Sequence, residues 1–291
     1  MDKPYTTLIS VADLAARRGD ANWVICDCRH DLADTAAGRR AYAESHIPGA
    51  RFVHLDEDLS ARKTGRNGRH PLPDPDKFAR RLGELGIANE KQVVAYDASG
   101  GPYAARLWWM LHWLGHDAAA VLDGGWNAWV NAQHPVTDQI SRIEAGRFIP
   151  RPRREAAVDV KAVAARVGKP GPMLLDARIP GRFRGENETL DPVAGHIPGA
   201  VNRPWQLNLE TNGRFRTAAE LRKEFSETLE GHAPGQVTHY CGSGVTACHN
   251  LLAMEVAGLT GSLLYPGSWS EWCSDPSRPV ARGSAEQGPH S

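Results

Sequence analysis

The chain contains its own half twice, and that repetition limits the folds open to it more than any other feature. Asp27-Cys28-Arg29, followed by His46-Ile47-Pro48-Gly49-Ala50, returns as Asp176-Ala177-Arg178, followed by His196-Ile197-Pro198-Gly199-Ala200. The Asp-to-His spacings are 19 and 20 residues. Tyr96-Asp97-Ala98-Ser99-Gly100 is echoed by Tyr240-Cys241-Gly242-Ser243-Gly244. Gly125-Trp126-Asn127-Ala128-Trp129 is echoed by Ser268-Trp269-Ser270-Glu271-Trp272. Asp97 stands 29 residues before Trp126, and Cys241 stands 28 before Trp269. Each half closes on Pro-Val, at 135–136 and 279–280. A duplicated domain accounts for matched words at matched spacing, and 291 residues suit two domains of ordinary size.

Each half reads as α/β. Val24-Ile25-Cys26-Asp27 and Met173-Leu174-Leu175-Asp176 are short apolar runs of the kind a sheet buries on both faces. Residues 92–96 and 236–240 read as further strands, with helical patterns after them over 104–114 and 246–257. Strand, loop, helix and strand at these lengths predict two similar domains, each a mostly parallel sheet flanked by helices. The boundaries fall at 1–138 for the first domain, 139–157 for a linker and 158–291 for the second. The linker holds Arg151-Pro152-Arg153-Arg154 and is expected to be solvated; residues 60–75 read as a long loop, and the tail beyond Ala281 as a fraying end.

Composition narrows the function classes. Lys plus Arg and Asp plus Glu both number 34, so net charge gives no reason to expect a nucleic-acid partner. No apolar run reaches the roughly 18 residues that span a bilayer, and MDKPYTTLIS carries no secretory pattern, so a cytoplasmic location and no membrane partner are expected. Five cysteines, Cys26, Cys28, Cys241, Cys248 and Cys273, are too few and too unevenly spread for a disulfide framework.

Cys241 carries the chemistry. A strand delivers it, Gly242 and Gly244 allow a tight curl with φ > 0, and a helix follows from Val245 and Thr246. Backbone N–H groups of such a loop, joined by the positive end of the helix, favour an anionic sulfur, or an anion attached to it. The rim at the carboxyl ends of parallel strands is also where ligands collect. A cysteine phosphatase would need Arg six positions on, where Ala247 stands, and Ser243 lacks the Gly-x-Ser-x-Gly setting of a hydrolase elbow. Asp97 replaces the nucleophile in the first half, so that half is expected to be chemically silent. Pro102 removes an N–H from its loop, which predicts an incomplete donor array there. Cys26 and Cys28 share one face of a strand and read as core thiols rather than metal ligands. Cys248, near the interior of the following helix, is either buried or a resolving thiol.

The paired HIPGA words, the paired YDASG and YCGSG loops and the whole layout resemble the tandem rhodanese sulfurtransferases over residues 5–282. Within that family the loop from Cys241 to Thr246 is similar to that of 3-mercaptopyruvate sulfurtransferases. Thiosulfate-specific members carry Cys-Arg-Lys-Gly, whereas Gly242, Ser243 and Gly244 supply no side-chain cation. The resemblance implies a ping-pong reaction without cofactor or metal: a small-molecule sulfur donor leaves a persulfide on Cys241, and a thiol, cyanide or thioredoxin takes the sulfur. The alternatives are the same chemistry with thiosulfate, or a non-catalytic binding module. A monomer or weak dimer is expected.

The resemblance also implies supporting roles. Arg182, in Gly-Arg-Phe-Arg-Gly, binds the donor carboxylate, while Leu190-Asp191-Pro192 stands where a second such Arg is expected. Ser243 meets the donor carbonyl with His46 behind it, oriented by Asp34 or Asp31, the former favoured by spacing. His196 holds its own domain's loop. Gly242, Gly244, Val245 and Thr246 line the donor site. Arg106 faces the donor or pairs with a carboxylate such as Asp97, and Trp269, with Trp272, floors the pocket or belongs to the core.

Overall fold

In this computed structural model, residues 3–169 and 171–284 are described. Among the described residues, nine strands form two sheets. β1 (Leu8–Ile9), β2 (Trp23–Asp27), β3 (Arg51–Phe52), β4 (Gln92–Tyr96) and β5 (Ala119–Leu122) lie in the order β1-β5-β4-β2-β3. β6 (Met173–Asp176), β7 (Val201–Asn202), β8 (Val237–Tyr240) and β9 (Leu263–Leu264) lie in the order β7-β6-β8-β9. Every strand pair is parallel. The helices are α1 (Val11–Ala16), α2 (Ala37–Glu44), α3 (Pro75–Glu84), α4 (Pro102–Trp113) and α5 (Gly125–Asn131), then α6 (Val160–Ala164), α7 (Pro180–Arg184), α8 (Ala218–Leu229), α9 (Thr246–Val256) and α10 (Ser268–Trp272).

Sheet-centre strands and the helices after them are buried because both faces of each sheet are covered. All five residues of β4 and all four of β8 are buried, as are ten residues of α4 and eight of α9. Pro102 opens α4 two residues ahead of the expected start, because a missing N–H costs nothing at a first helical position. One core gathers Leu14, Ile47, Tyr96 and Trp129, and the other Phe183, Tyr240, Tyr265, Trp269 and Trp272.

The duplication is legible bond by bond. Asp27 and Asp176, each at the end of a strand, grip Arg29 and Arg178 through pairs of 2.6–3.1 Å bonds. Those arginines then reach the Ser45 and Gly195 carbonyls. Tyr96 and Tyr240 accept the Ile47 and Ile197 N–H groups, both at 3.3 Å. His46 Nδ1 meets the Tyr42 carbonyl at 2.7 Å and His196 Nδ1 the Phe183 carbonyl at 2.8 Å, each ring stacked on the same aromatic neighbour. Trp129 and Trp272 donate to the Pro135 and Pro279 carbonyls, both at 2.9 Å.

The chain divides into two compact units that do not follow the halves strictly. Unit 1 takes residues 1–61, 72–154 and 209–215; unit 2 takes 62–71, 155–208 and 216–291. Residues 62–71, part of the expected loop, are tied into unit 2: Arg69 N–H donates to Ser270 Oγ at 3.0 Å, and a Cβ on Gly68 would lie 2.8 Å from the Gly267 carbonyl oxygen. Residues expected to be solvated linker are fastened to unit 1. Arg153 makes a two-pronged bond with Asp117, both arms at 2.7 Å, Gly146 N–H donates to Gly83, and Phe148 is buried. Of the tail, Ala281 pairs with His196 and Gly283 N–H donates to Arg184, while residues 285–291 lie outside those described.

Candidate active site

In unit 2 the end of β8 delivers Cys241, and the loop before α9 wraps its sulfur. Gly244 N–H donates to Cys241 Sγ at 3.1 Å. Gly244 has φ +77° and a Cβ there would lie 2.4 Å from the Pro266 carbonyl oxygen, so only glycine fits. The main chain of the loop is pinned from α10: Trp269 and Ser270 N–H groups donate to the Cys241 and Gly242 carbonyls, and Cys241 N–H donates to Ser268 Oγ. Cys248 is fully buried and its thiol donates to the Gly244 carbonyl at 3.3 Å. Val245 is buried and Thr246, the first residue of α9, is half-buried.

The matching loop of unit 1 reveals what this architecture holds. Asp97 is 1% exposed, and its carboxylate accepts four backbone N–H groups, from Ser99, Gly101, Tyr103 and Ala104, at 2.8–3.0 Å. Burial pushes the Asp97 carboxyl up and the four donors pull it back. The expected incomplete donor array is therefore corrected: Pro102 is merely skipped. A carboxylate oxygen lies two bonds beyond Cβ, as the outer sulfur of a cysteine persulfide does. The Asp97 loop is thus filled by an anion of the shape that a persulfide at Cys241 would have.

Ser243, 6% exposed, lies beside a histidine the sequence reading did not select: His70 Nδ1 is 2.8 Å from Ser243 Oγ. The expected partner, His46, is fully buried and bonds a carbonyl of its own unit as His196 does in the other half. Asp34 is exposed and bonded to Arg40, which holds its carboxyl below the ordinary range; Asp31 accepts the Ala33 and Asp34 N–H groups. Neither expected carboxylate therefore stands behind His46.

Two cations converge on the residue after Cys241. A Cβ on Gly242 would lie 2.7 Å from Arg69 Nη2 and 3.3 and 3.4 Å from Arg182 Nη2 and Nη1. Arg69 Nη1 bonds Asp191 Oδ1; Arg182 bonds Asp191 Oδ2 at 3.1 Å and Glu188 at 2.9–3.2 Å. Glu188 also meets Arg178 at 3.4 Å. Burial works to raise the Glu188 carboxyl, but Arg182 and two backbone donors outweigh it and hold it low. At Asp191 burial wins and the carboxyl is raised in spite of Arg69. Arg69 thus brings a second cation beside Arg182, while Leu190 is half exposed.

Other expected site residues fall elsewhere. Arg106 is fully buried within α4 and donates to the Leu59 carbonyl, while Asp97 is taken by main-chain donors. Trp269 is fully buried core, its indole donating to the Val193 carbonyl at 2.9 Å and its face 5.0 Å from the Arg178 guanidinium carbon. Burial holds the Cys26 thiol up at about 12 and lifts Cys28 well above its ordinary value, as core thiols require. His30, His54 and Asp56 form a three-donor group, but His54 is already engaged, Nε2 with the Thr35 carbonyl and Nδ1 with the Asp56 N–H. No described helix is long and apolar enough to cross a membrane.

The fold and the cysteine loop define a class, and comparison with known proteins agrees. The model of the rhodanese-like domain matches residues 10–132 and again 159–275, and the chain belongs to that family. A probable 3-mercaptopyruvate sulfurtransferase of Pseudomonas aeruginosa is 48% identical over 278 residues, covering 95% of this chain and 98% of that one. A putative thiosulfate sulfurtransferase, SseB, of Mycobacterium tuberculosis is 40% identical, covering 96% of this chain and 98% of that one. Among solved structures, the 3-mercaptopyruvate sulfurtransferase of Leishmania major superposes with a TM-score of 0.82 at 30% identity, covering 93% of this chain and 75% of that one.

Proposed function

We propose that this chain is a sulfurtransferase that takes a sulfane sulfur from 3-mercaptopyruvate onto Cys241 as a persulfide, releases pyruvate, and passes the sulfur to a thiol, cyanide or thioredoxin. The observation that carries the reading is the pair of matched loops. One holds an anion two bonds beyond Cβ with four main-chain N–H groups, and the other presents a cysteine in that position.

The Cys241 thiolate attacks the donor sulfur, and the C–S bond breaks with its electron pair moving onto the carbon as the enolate of pyruvate. Ser243 donates to the keto oxygen, where the enolate charge collects. His70, 2.8 Å from Ser243 Oγ, relays the donor thiol's proton to the enolate carbon. Pyruvate and a persulfide anion result, and the loop N–H groups stabilise the outer sulfur. In the second half-reaction the acceptor attacks that sulfur and the S–S electron pair returns to Cys241. The Arg69 and Arg182 N–H groups over Gly242 suit the donor carboxylate. Unit 1, with Asp97 in its loop, is chemically silent. The five cysteines are all free thiols, which suits a reducing compartment such as the cytoplasm.

One observation favours the second reading, thiosulfate as donor. The cysteine loop has no side-chain cation of its own, yet Arg69 and Arg182 reach it from other segments. Against this, Arg69, Arg178 and Arg182 are balanced by Asp176, Glu188 and Asp191. Such a network offers directed N–H donors more than net positive charge, which suits a monoanion better than a dianion. Ser243 and His70 also need a carbonyl to act on, and thiosulfate has none. One charged hydrogen bond is worth about 1.5–3 kcal/mol, roughly 10- to 100-fold in rate. The expected kcat/KM for 3-mercaptopyruvate therefore exceeds that for thiosulfate by about tenfold or more. Steady-state kinetics with both donors and cyanide as common acceptor test this, and a preference for thiosulfate rejects the primary reading.

A further inference from the structure

Arg69 and Arg182 come from different segments, and each guanidinium must be held over Gly242 against the repulsion of the other. Arg182 has two anchors: Nε and Nη2 bond Glu188, and Nη2 also bonds Asp191 Oδ2. Arg69 has one. Its Nη1 bonds Asp191 Oδ1, and its guanidinium makes no other hydrogen bond among the described residues. Asp191 thus gives one oxygen to each arginine. The Asp191 side chain is 2% exposed, against 25% for Arg69 and 15% for Arg182, so the carboxylate lies beneath the pair and the guanidiniums are more open to solvent. Asp191 is fixed in turn by its N–H, which donates to Glu188 Oε1 at 3.1 Å, and by Pro192, which biases the preceding residue to an extended backbone.

We propose that Asp191 is a positioning residue for donor binding: it sets the spacing of the two guanidiniums and, among the described residues, alone holds the Arg69 guanidinium. The proposal rests on reading those guanidiniums as the receptor of the donor's carboxylate. Asp191 does not touch the donor; it acts through Arg69. Glu188 keeps Arg182 in place without it, whereas Arg69 without it keeps only a main-chain attachment, through Ser270.

The test compares Asp191→Asn, Arg69→Gln and the double variant with two donors. One is 3-mercaptopyruvate, and the other is mercaptoacetone, which keeps the keto-thiol and lacks the carboxylate. Each single variant is expected to raise KM for 3-mercaptopyruvate about tenfold or more, with kcat within about threefold of wild type. Turnover of mercaptoacetone stays near wild type, and the double variant is no worse than Arg69→Gln alone. Asp191→Glu, which keeps the charge but moves it, falls between wild type and Asp191→Asn, and it carries the test if the Asn variant does not fold. An unchanged KM, an equal loss with mercaptoacetone, or multiplying losses in the double variant overturns the proposal. Absence of 3-mercaptopyruvate turnover by wild type overturns the functional reading instead, and that arm is read first.

Discussion

Ser243 and His70 are joined by a 2.8 Å contact that lies almost wholly out of solvent, and a proton shared there moves along one line. Removing either side chain is expected to slow the first half-reaction with 3-mercaptopyruvate by about 10²- to 10⁴-fold, the usual scale of general acid–base help. If the two act as one relay, Ser243→Ala with His70→Ala costs no more than the worse single change. Discharge of a persulfide preloaded with inorganic polysulfide should stay near wild type, because that step creates no enolate. Stopped-flow measurement of pyruvate release separates the two, and equal slowing of both half-reactions would assign the pair a structural role. His46→Asn, in contrast, should lower stability and leave turnover per folded molecule intact. Cys241 stood out in the sequence because a strand, a glycine turn and a repeated word surround it; Ser243 and Arg182 entered through the family resemblance. His70 and Arg69 were hidden for a physical reason. They lie in a stretch with no periodicity, and the tertiary path of residues 62–71 brings them to the loop.

At the scale of elements, the two strand-loop-helix units are one device with different contents. Asp97 occupies its loop with four N–H bonds, whereas Cys241 Sγ, one bond shorter than a carboxylate oxygen, accepts the Gly244 N–H. Asp97→Cys is therefore expected to accept and hold a persulfide from inorganic polysulfide, detectable by mass spectrometry of the peptide spanning residue 97. It should not turn over 3-mercaptopyruvate when Cys241 is Ser, because position 33, six residues past Asp27 as Arg182 is past Asp176, carries Ala. No persulfide at position 97 would contradict the equivalence of the loops. Gly244→Ala tests the loop from the other side. Its Cβ would meet the Pro266 carbonyl oxygen at 2.4 Å in a left-handed conformation, so a loss of about 1–3 kcal/mol in stability, together with activity, is expected from chemical denaturation. The strands β2, β4 and β6 were readable because burial on both faces writes short apolar runs. The two-residue strands β1, β3, β7 and β9 leave no such record, and their pairing is set by neighbours distant in sequence.

Across the whole molecule, duplication explains why so many of the repeated residues are architectural. The paired Asp–Arg clamps, the HIPGA histidines and the Trp–Pro contacts recur in both units, while the chemistry diverges at Asp97 against Cys241 and at Ala33 against Arg182. Repetition in the sequence therefore revealed the fold better than the site: His46, in a word present twice, bonds and stacks as His196 does. The core thiols set a limit on alkaline stability. Cys26 titrates near 12 when folded against 9.0 for an ordinary thiol, so between those values the unfolded chain has released a proton that the folded chain retains. Fewer protons bound in the unfolded state means stability falls as pH rises through that window. Cys26→Ala should lower stability near neutrality by cavity formation yet flatten the decline above pH 9, as read from urea midpoints; an unchanged slope would exclude Cys26 as a source of it. The central claim is the persulfide itself. Wild type mixed with one equivalent of 3-mercaptopyruvate and no acceptor, quenched and analysed by peptide mass spectrometry, should carry one added sulfur atom on Cys241 with stoichiometric release of pyruvate. Pyruvate released without added sulfur on Cys241, or sulfur on any other cysteine of a Cys241→Ser variant that still turns over, would contradict the account.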